Sequence, residues 1–238
     1  MEAQVFQLNP IPSVISFDCY GTLVQWREVL LAEFDALQIR SAGAVLVSSA
    51  TLLDTFSGFS RQFEKDRPHR LYKDVFCLSL KSALDHHAIG YTPADVERIL
   101  HSVTTMGPHP EVPGVLRRLR SRYKLAIFTN SDENLIVHNV ERLGVPIDYV
   151  ITAEKAQAYK PSRQIFEYAH RTMGVTKEQT VHVAMSMVLD MQACHQLGIR
   201  GVWINRLQQA GNPDWLPYAE LPDLTGVPAL LGVDGQAA

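Results

Sequence analysis

The chain has 238 residues, of which 46% are hydrophobic and 20% charged. That length suits one large domain or a core domain with a smaller inserted one, and the balance argues against disorder. A formal net charge of −3 leaves no basic excess of the kind that nucleic acid or an anionic membrane demands.

In chain order, Met1 to Pro12 lacks a basic start followed by a long apolar run, so it is not read as a signal peptide. No apolar stretch reaches the roughly 20 residues of a membrane span. The first strong element is Ser13–Phe17, short, apolar and rich in β-branched residues, which reads as a buried strand running into Asp18. A turn at Gly21-Thr22 follows. From Trp26 to Met106 apolar residues fall at helical spacing, as in Val29-Leu30-Phe34-Leu37 and Leu52-Leu53-Phe56-Phe59-Phe63. Thr92-Pro93-Ala94-Asp95 has an N-cap threonine and proline at the first helical position.

After Gly107-Pro108-His109-Pro110 the texture becomes α/β. A helix from Val112 leads to a strand, Lys124–Thr129. Ser131 is expected to cap a helix from Leu135 to Leu143 that stops at Gly144. A short strand, Tyr149–Thr152, precedes a loop from Ala153 to Tyr159. Pro161 opens a helix ending near Gly174. Thr180–Met185 reads as a strand, Asp190–Leu197 as a helix and Gly201–Ile204 as a further strand. The Pro/Gly-rich tail from Gln208 is expected to wrap the surface. The class is α/β: a doubly wound, parallel, Rossmann-like sheet whose first strand comes from the N-terminal part, with an inserted helical cap. The expected boundaries are 1–25 and 107–238 for the catalytic core and 26–106 for the cap.

Ligands of open parallel sheets bind outside the carboxyl ends of the strands. The predicted strands end on Asp18, on Thr129-Asn130-Ser131, on the loop leading to Lys160, and on Met185-Ser186 ahead of Asp190. A carboxylate, a hydroxyl and amide pair, a lysine and a second carboxylate therefore converge on one edge. Each alone has an ordinary reading as a turn, cap or solvated residue; their occurrence at successive strand ends points to a site. The three cysteines, Cys19, Cys77 and Cys194, are too few and too far apart for a disulfide framework, and no CxxC pair suggests zinc. The nine histidines form no spaced ligand set, and His182, within a buried strand, reads as a packed core residue. The run Arg117-Arg118-Leu119-Arg120-Ser121-Arg122 reads as a solvated helix face.

Phe17-Asp18-Cys19-Tyr20-Gly21-Thr22-Leu23 resembles the first motif of the haloacid dehalogenase superfamily. Phe128-Thr129-Asn130 is similar to the second, Ala158-Tyr159-Lys160-Pro161 to the third, and His182-Val183-Ala184 through Asp190 to the fourth. Gly201–Arg206 resembles the closing strand. Within the superfamily the likeness is to the L-2-haloacid dehalogenase-like, type II, branch. The resemblance implies that Asp18 is a nucleophile forming a covalent ester. It implies that Lys160 lowers the Asp18 pKa and keeps it ionised. Thr22 supports the turn, and Asp190 orients or activates the hydrolytic water. Thr129 and Asn130, with the backbone amides of Cys19 and Tyr20, hold the substrate anion and developing charge. The Cys19 side chain, turned away from Asp18 by strand alternation, reads as core.

The superfamily's phosphatases carry a second aspartate two residues after the nucleophile, to protonate an alkoxide leaving group. Here that position is Tyr20. A halide leaves without a proton, so a dehalogenase tolerates tyrosine there. Two carboxylates beside Lys160 make a poor magnesium cage, and neither metal nor cofactor is expected. The expected activity is hydrolysis of 2-haloacids, with small-molecule substrates, no nucleic acid or membrane partner, and the homodimer common among similar enzymes. Two alternatives stand: a member repurposed for a bulkier metabolite or natural product, and a magnesium-dependent small-molecule phosphatase. The chain departs from the dehalogenase pattern at Met185 and Met187, where small polar residues position water, and at Phe166, where an aromatic hydroxyl is expected. An arginine that grips the substrate carboxylate has no clear counterpart; Arg61, Arg67 and Arg70 are the candidates to replace it.

Overall fold

The computed structural model describes residues 8–233; the N-terminal reading of Met1 to Pro12 and the outer ends of the core boundaries therefore fall partly outside the described residues. Six strands form one parallel sheet in the order β3-β2-β1-β4-β5-β6. They are β1 (Val14–Phe17), β2 (Lys124–Thr129), β3 (Tyr149–Thr152), β4 (Thr180–Ala184), β5 (Arg200–Ile204) and β6 (Tyr218–Leu221). All four residues of β1 and all five of β4 are buried. That is the continuous burial expected of central strands covered on both faces. The order reverses between β1 and β4. A doubly wound sheet opens a crevice at such a switch point, at the carboxyl ends of its strands.

Four helices, α1 (Trp26–Ala42), α2 (Ser49–Phe63), α3 (Tyr72–His86) and α4 (Pro93–Val103), occupy the interval between β1 and the next core helix, α5 (Val112–Arg120). They form the inserted helical cap. Their apolar stripes meet in a cluster where Phe56 stands edge-on to Phe34 and to Phe76. α4 starts as the sequence suggests. Thr92 accepts from the Asp95 N–H while the Asp95 carboxylate accepts from the Thr92 N–H, and Pro93 holds the first helical position.

The second half alternates as expected through α6 (Glu133–Arg142), α7 (Ala153–Ala156), α8 (Arg163–Met173), α9 (Gln192–Leu197) and α10 (Val227–Leu230). Three expectations are corrected. The tail does not merely cover the surface: residues 218–221 add β6 to the edge of the sheet, pairing Val202 with Ala219 and Ile204 with Leu221. The segment after β3 is not all loop, since Thr152 caps the single turn of α7 through its side chain. Ser131 does not cap α6: Asp132 holds the N-cap position, and its carboxylate reaches to a different helix.

Candidate active site

Asp18 follows the last residue of β1, and its N–H continues the ladder to the Val183 carbonyl at 3.1 Å. The chain then turns sharply, with the Leu23 and Val24 N–H groups returning to the Cys19 carbonyl. Gly21 takes φ +87°, and a Cβ there would lie 3.1 Å from the Met185 sulfur. Both the left-handed backbone and the close approach require glycine. The turn places Thr22 beside the carboxylate. Its hydroxyl donates to Asp18 Oδ2 at 2.8 Å and accepts from the Met185 N–H at 2.9 Å. Thr22 thus ties Asp18 to the loop after β4.

Lys160 arrives from the loop between α7 and α8. Its ammonium donates to Asp18 Oδ1 at 2.8 Å and to Asp190 Oδ1 at 2.6 Å. All three groups are removed from water: Asp18 is 8% exposed, Lys160 1% and Asp190 0%. Burial pushes the Asp18 carboxyl above its ordinary value, with the neighbouring Asp190 charge adding to the rise; Lys160 and the Thr22 hydroxyl oppose it without winning. The expected depression by Lys160 is therefore present as an opposing pull, not as the net effect. Burial also works against the charge on Lys160, but the two carboxylates outweigh it and raise its pKa. On Asp190 the desolvation cost is overcome by Lys160 and by a hydrogen bond from His182, which together hold its carboxyl below the usual range.

The remaining residues of the expected site separate into different roles. Thr129, at the end of β2, is fully buried, and its hydroxyl has no partner among the described residues. Asn130 is tied to the loop that carries Lys160. It accepts from the Lys160 N–H at 2.6 Å and donates to the Lys160 carbonyl at 3.2 Å, so it holds the lysine's main chain. Cys19 is buried in the core, where desolvation pushes its thiol well up. Tyr20 stands in the place of the second aspartate, but its hydroxyl donates to Asn139 Oδ1 at 2.8 Å. The Asn139 amide in turn donates to the carbonyls of Val103 and Met106. Tyr20 thereby anchors the return from the cap. Ser186, the one polar residue of the expected water-positioning stretch, caps the π turn at Met187–Met191 by accepting from the Leu189 N–H.

The cap meets this edge through its α2–α3 connection. The Asp132 carboxylate accepts from the Tyr72 and Lys73 N–H groups at 2.7 and 2.8 Å, capping α3 from the far side of the crevice. Tyr159 donates to the Arg70 carbonyl at 2.8 Å, and the His69 ring stacks on it at 4.8 Å. The three candidate arginines are exposed. Arg67 donates to the carbonyls of Glu64, Lys65 and Asp66, and Arg70 lies 3.5 Å from Asp66. None is brought to the carboxylate pair. What the connection does carry is an acid. Burial pushes the Glu64 carboxyl up to about 7, against the pull of the Ser60 hydroxyl, Arg61 and Lys160.

Three partners escaped the sequence reading. His182 packs as expected, stacked on Phe128 at 5.4 Å and edge-on to Phe166 at 5.7 Å. It also hydrogen-bonds Asp190 Oδ1 at 3.0 Å and Ser16 at 2.9 Å. A legible signal existed: Ser16 and His182 are polar residues inside two otherwise apolar buried strands. Asn139 and Asp132 gave none, because their partners lie in the cap, 33 or more residues away in sequence.

Among the described residues no group of three or more His, Cys, Asp and Glu side chains is placed to hold a metal ion. The donor set around Asp18 does not fit magnesium: its two carboxylates are bridged by the Lys160 ammonium, and Tyr20, Met185 and Met187 supply no further acid.

An aspartate at the switch point of a parallel sheet, braced by a threonine and bridged by a lysine to a second aspartate, defines a hydrolase site beneath a helical cap. The family model of haloacid dehalogenase-like hydrolases matches residues 12–198, and the chain belongs to that family. It is 32% identical over 204 residues to haloacetate dehalogenase H-2 of Moraxella sp. (strain B), covering 81% of this chain and 85% of that one. It is 25% identical over 214 residues to (S)-2-haloacid dehalogenase 4A of Burkholderia cepacia, covering 86% and 87%. The fold matches L-2-haloacid dehalogenase from Xanthobacter autotrophicus with chloropropionic acid covalently bound. There the TM-score is 0.80 at 17% identity, covering 95% of this chain and 100% of that one.

Proposed function

We propose that this enzyme hydrolyses the carbon–halogen bond of 2-halocarboxylic acids through an ester on Asp18. The observation that carries the reading is the Lys160 ammonium seated between Asp18 and Asp190 at 2.8 and 2.6 Å. It supplies a positive charge at Asp18 from the chain's own residues, beside a carboxylate that is poorly solvated. Asp18 attacks the halogen-bearing carbon; a carbon–oxygen bond forms, and the carbon–halogen bond breaks with both electrons leaving on the halide. No acid is needed, consistent with a Tyr20 hydroxyl committed to Asn139. Water then opens the ester with Asp190 as its acceptor. Thr22 keeps the carboxylate aligned, and Thr129 with the backbone amides after Asp18 receives the developing charge. Asn130 acts one step back, through the lysine's main chain.

The relatives' names supply the substrate class, haloacids and haloacetate. Residues 26–106 serve as the cap and the segments on either side as the core. The three cysteines are free, two of them buried, which suits the reducing cytoplasm. The test is halide release from a panel of 2-halocarboxylates with and without EDTA. Halide release insensitive to EDTA is expected. Asp18→Asn should abolish it, a loss of at least about 10³-fold for removal of a nucleophile. Magnesium-dependent phosphate release in its place, or an active Asp18→Asn enzyme, would overturn the reading.

A further inference from the structure

Behind the carboxylate pair runs a second layer of hydrogen bonds. Ser16 on β1 and His182 on β4 are register partners on adjacent parallel strands. Both are fully buried, as is Asp190. The contacts form one chain: Ser16 Oγ to His182 Nδ1 at 2.9 Å, His182 Nε2 to Asp190 Oδ1 at 3.0 Å, Asp190 Oδ1 to Lys160 Nζ at 2.6 Å, and Lys160 Nζ to Asp18 Oδ1 at 2.8 Å. An ionised carboxylate only accepts, so His182 Nε2 carries the proton. Nδ1 meets the Ser16 hydroxyl, which also donates to the Val181 carbonyl at 3.3 Å. Phe128 and Phe166 fix the plane of the ring from its face and its edge. The ring's orientation is thereby fixed, with Nε2 aimed at Asp190.

The consequence falls on Asp190. Its Oδ1 is taken by a cation and an N–H, whereas its Oδ2 is buried with no partner among the described residues. A buried carboxylate oxygen without a donor is costly unless something in the working cycle supplies one.

We propose that His182, itself held by Ser16, is a positioning residue for the hydrolytic half of the reaction: it pins Asp190 Oδ1 so that Oδ2 faces the water that opens the Asp18 ester. This rests on the ester reading above and adds a division of labour to it. The water oxygen bonds to Asp18 Cγ while one water proton passes to Asp190 Oδ2. The tetrahedral intermediate collapses, the bond from Cγ to the substrate oxygen breaks, and the departing alkoxide takes that proton as the 2-hydroxy acid. The second water proton stays on the regenerated Asp18 carboxyl and is released to solvent. The first half, halide displacement by Asp18, makes no use of Asp190 Oδ2.

The two halves respond differently to substitution, and that gives the test. Wild type, His182→Phe, His182→Gln and Ser16→Ala are compared for first-turnover and steady-state halide release from a 2-halocarboxylate that the wild type turns over. Quenched samples are weighed as intact protein. In His182→Phe we expect steady-state turnover to fall about 10–100-fold, the usual range for loss of an orienting partner. The first equivalent of halide should still appear quickly, and the protein should gain the mass of the substrate acid less hydrogen halide, a carboxyalkyl ester. Glutamine can donate to Asp190 and accept from Ser16, so His182→Gln should recover most of the turnover. Ser16→Ala, which folds independently of the fate of the phenylalanine variant, should show a smaller build-up of the same adduct. A purely structural histidine would lower both phases together without adduct, and that result, or unchanged turnover in all three variants, overturns the proposal. A wild type that releases no halide from any 2-halocarboxylate removes the ester reading and this inference with it, an outcome visible before any variant is made.

Discussion

The two walls of the crevice are built on different principles. The sheet wall is a polar circuit in which Thr22, Lys160, Asn130, His182 and Ser16 each bind a neighbour that is itself bound, open at Asp190 Oδ2 and the Thr129 hydroxyl. The cap wall, through the α2–α3 connection, meets it with main-chain contacts at Asp132 and Tyr159 and with one half-buried acid, Glu64. The sheet wall buries Asp18 beside its counter-charge, Lys160, out of water. On the cap wall Arg67 and Arg70 are turned to the connection's own carbonyls and to Asp66, and the half-buried Glu64 carries the sign opposite to that of a carboxylate-gripping arginine. Reaction and recognition are therefore separable, and substitutions on the two walls should differ in kind as well as in size.

The largest change should come from breaking the circuit at its cation. Lys160→Met keeps the bulk of the side chain but leaves Asp18 and Asp190 as adjacent buried acids with no counter-charge. Removing one partner of a buried ion pair costs about 3–5 kcal/mol. For a protein of this size that corresponds to a fall in Tm on the order of 10 °C at neutral pH. The loss should shrink in mildly acidic buffer, where the orphaned carboxyls take up protons. A variant as stable as wild type at pH 7 by calorimetry would show that the circuit does not depend on its cation. Halide release should be lost in either case.

How much of this was readable from the residues follows the same division. The sheet order, the insertion and the convergence of Asp18, Thr22, Lys160 and Asp190 were all legible, because strand ends in a parallel sheet share an edge whatever the loops do. Asn130 was placed correctly at that edge, but its hold on the Lys160 main chain was not legible: adjacency to a crevice does not reveal which loop an amide also binds. β6 was missed because Tyr218–Leu221 is short, half-exposed and flanked by proline, so it has no apolar run of its own and depends on β5. The cap contacts were invisible for a different reason. Asp132 has the sequence context of an ordinary N-cap, and nothing local reveals that the helix it caps is α3 rather than α6.

Asp132 gives the intermediate effect. Asp132→Ala leaves the Tyr72 and Lys73 N–H groups without their acceptor, a loss of about 0.5–2 kcal/mol for a removed cap. Because the bond joins cap to sheet, the variant should also raise KM more than it lowers kcat. Protection of the Tyr72 and Lys73 amides against hydrogen exchange should fall while that of β1 and β4 stays unchanged. Equal loss in the sheet would mean that the two walls unfold as one unit.

Glu64 is the sharpest probe of the cap wall. Its carboxyl ionises near 4.5 in an unfolded chain and near 7 here, chiefly because burial disfavours the charge. Between those values the folded protein binds more protons than the unfolded one, so stability falls as pH rises from about 4.5 to about 7 and is level with respect to this group on either side. Glu64→Gln removes that slope and should leave the variant relatively more stable at pH 8 than at pH 5 when each is compared with wild type. The same ionisation places on the cap wall a negative charge that Lys160 feels, and that would repel an anionic substrate entering the crevice. The KM for a 2-halocarboxylate should therefore rise through about pH 7 in the wild type and stay flat in Glu64→Gln. Parallel pH profiles for the two proteins would mean that Glu64 faces away from the substrate, and that the cap wall recognises its ligand through main-chain and apolar contacts alone.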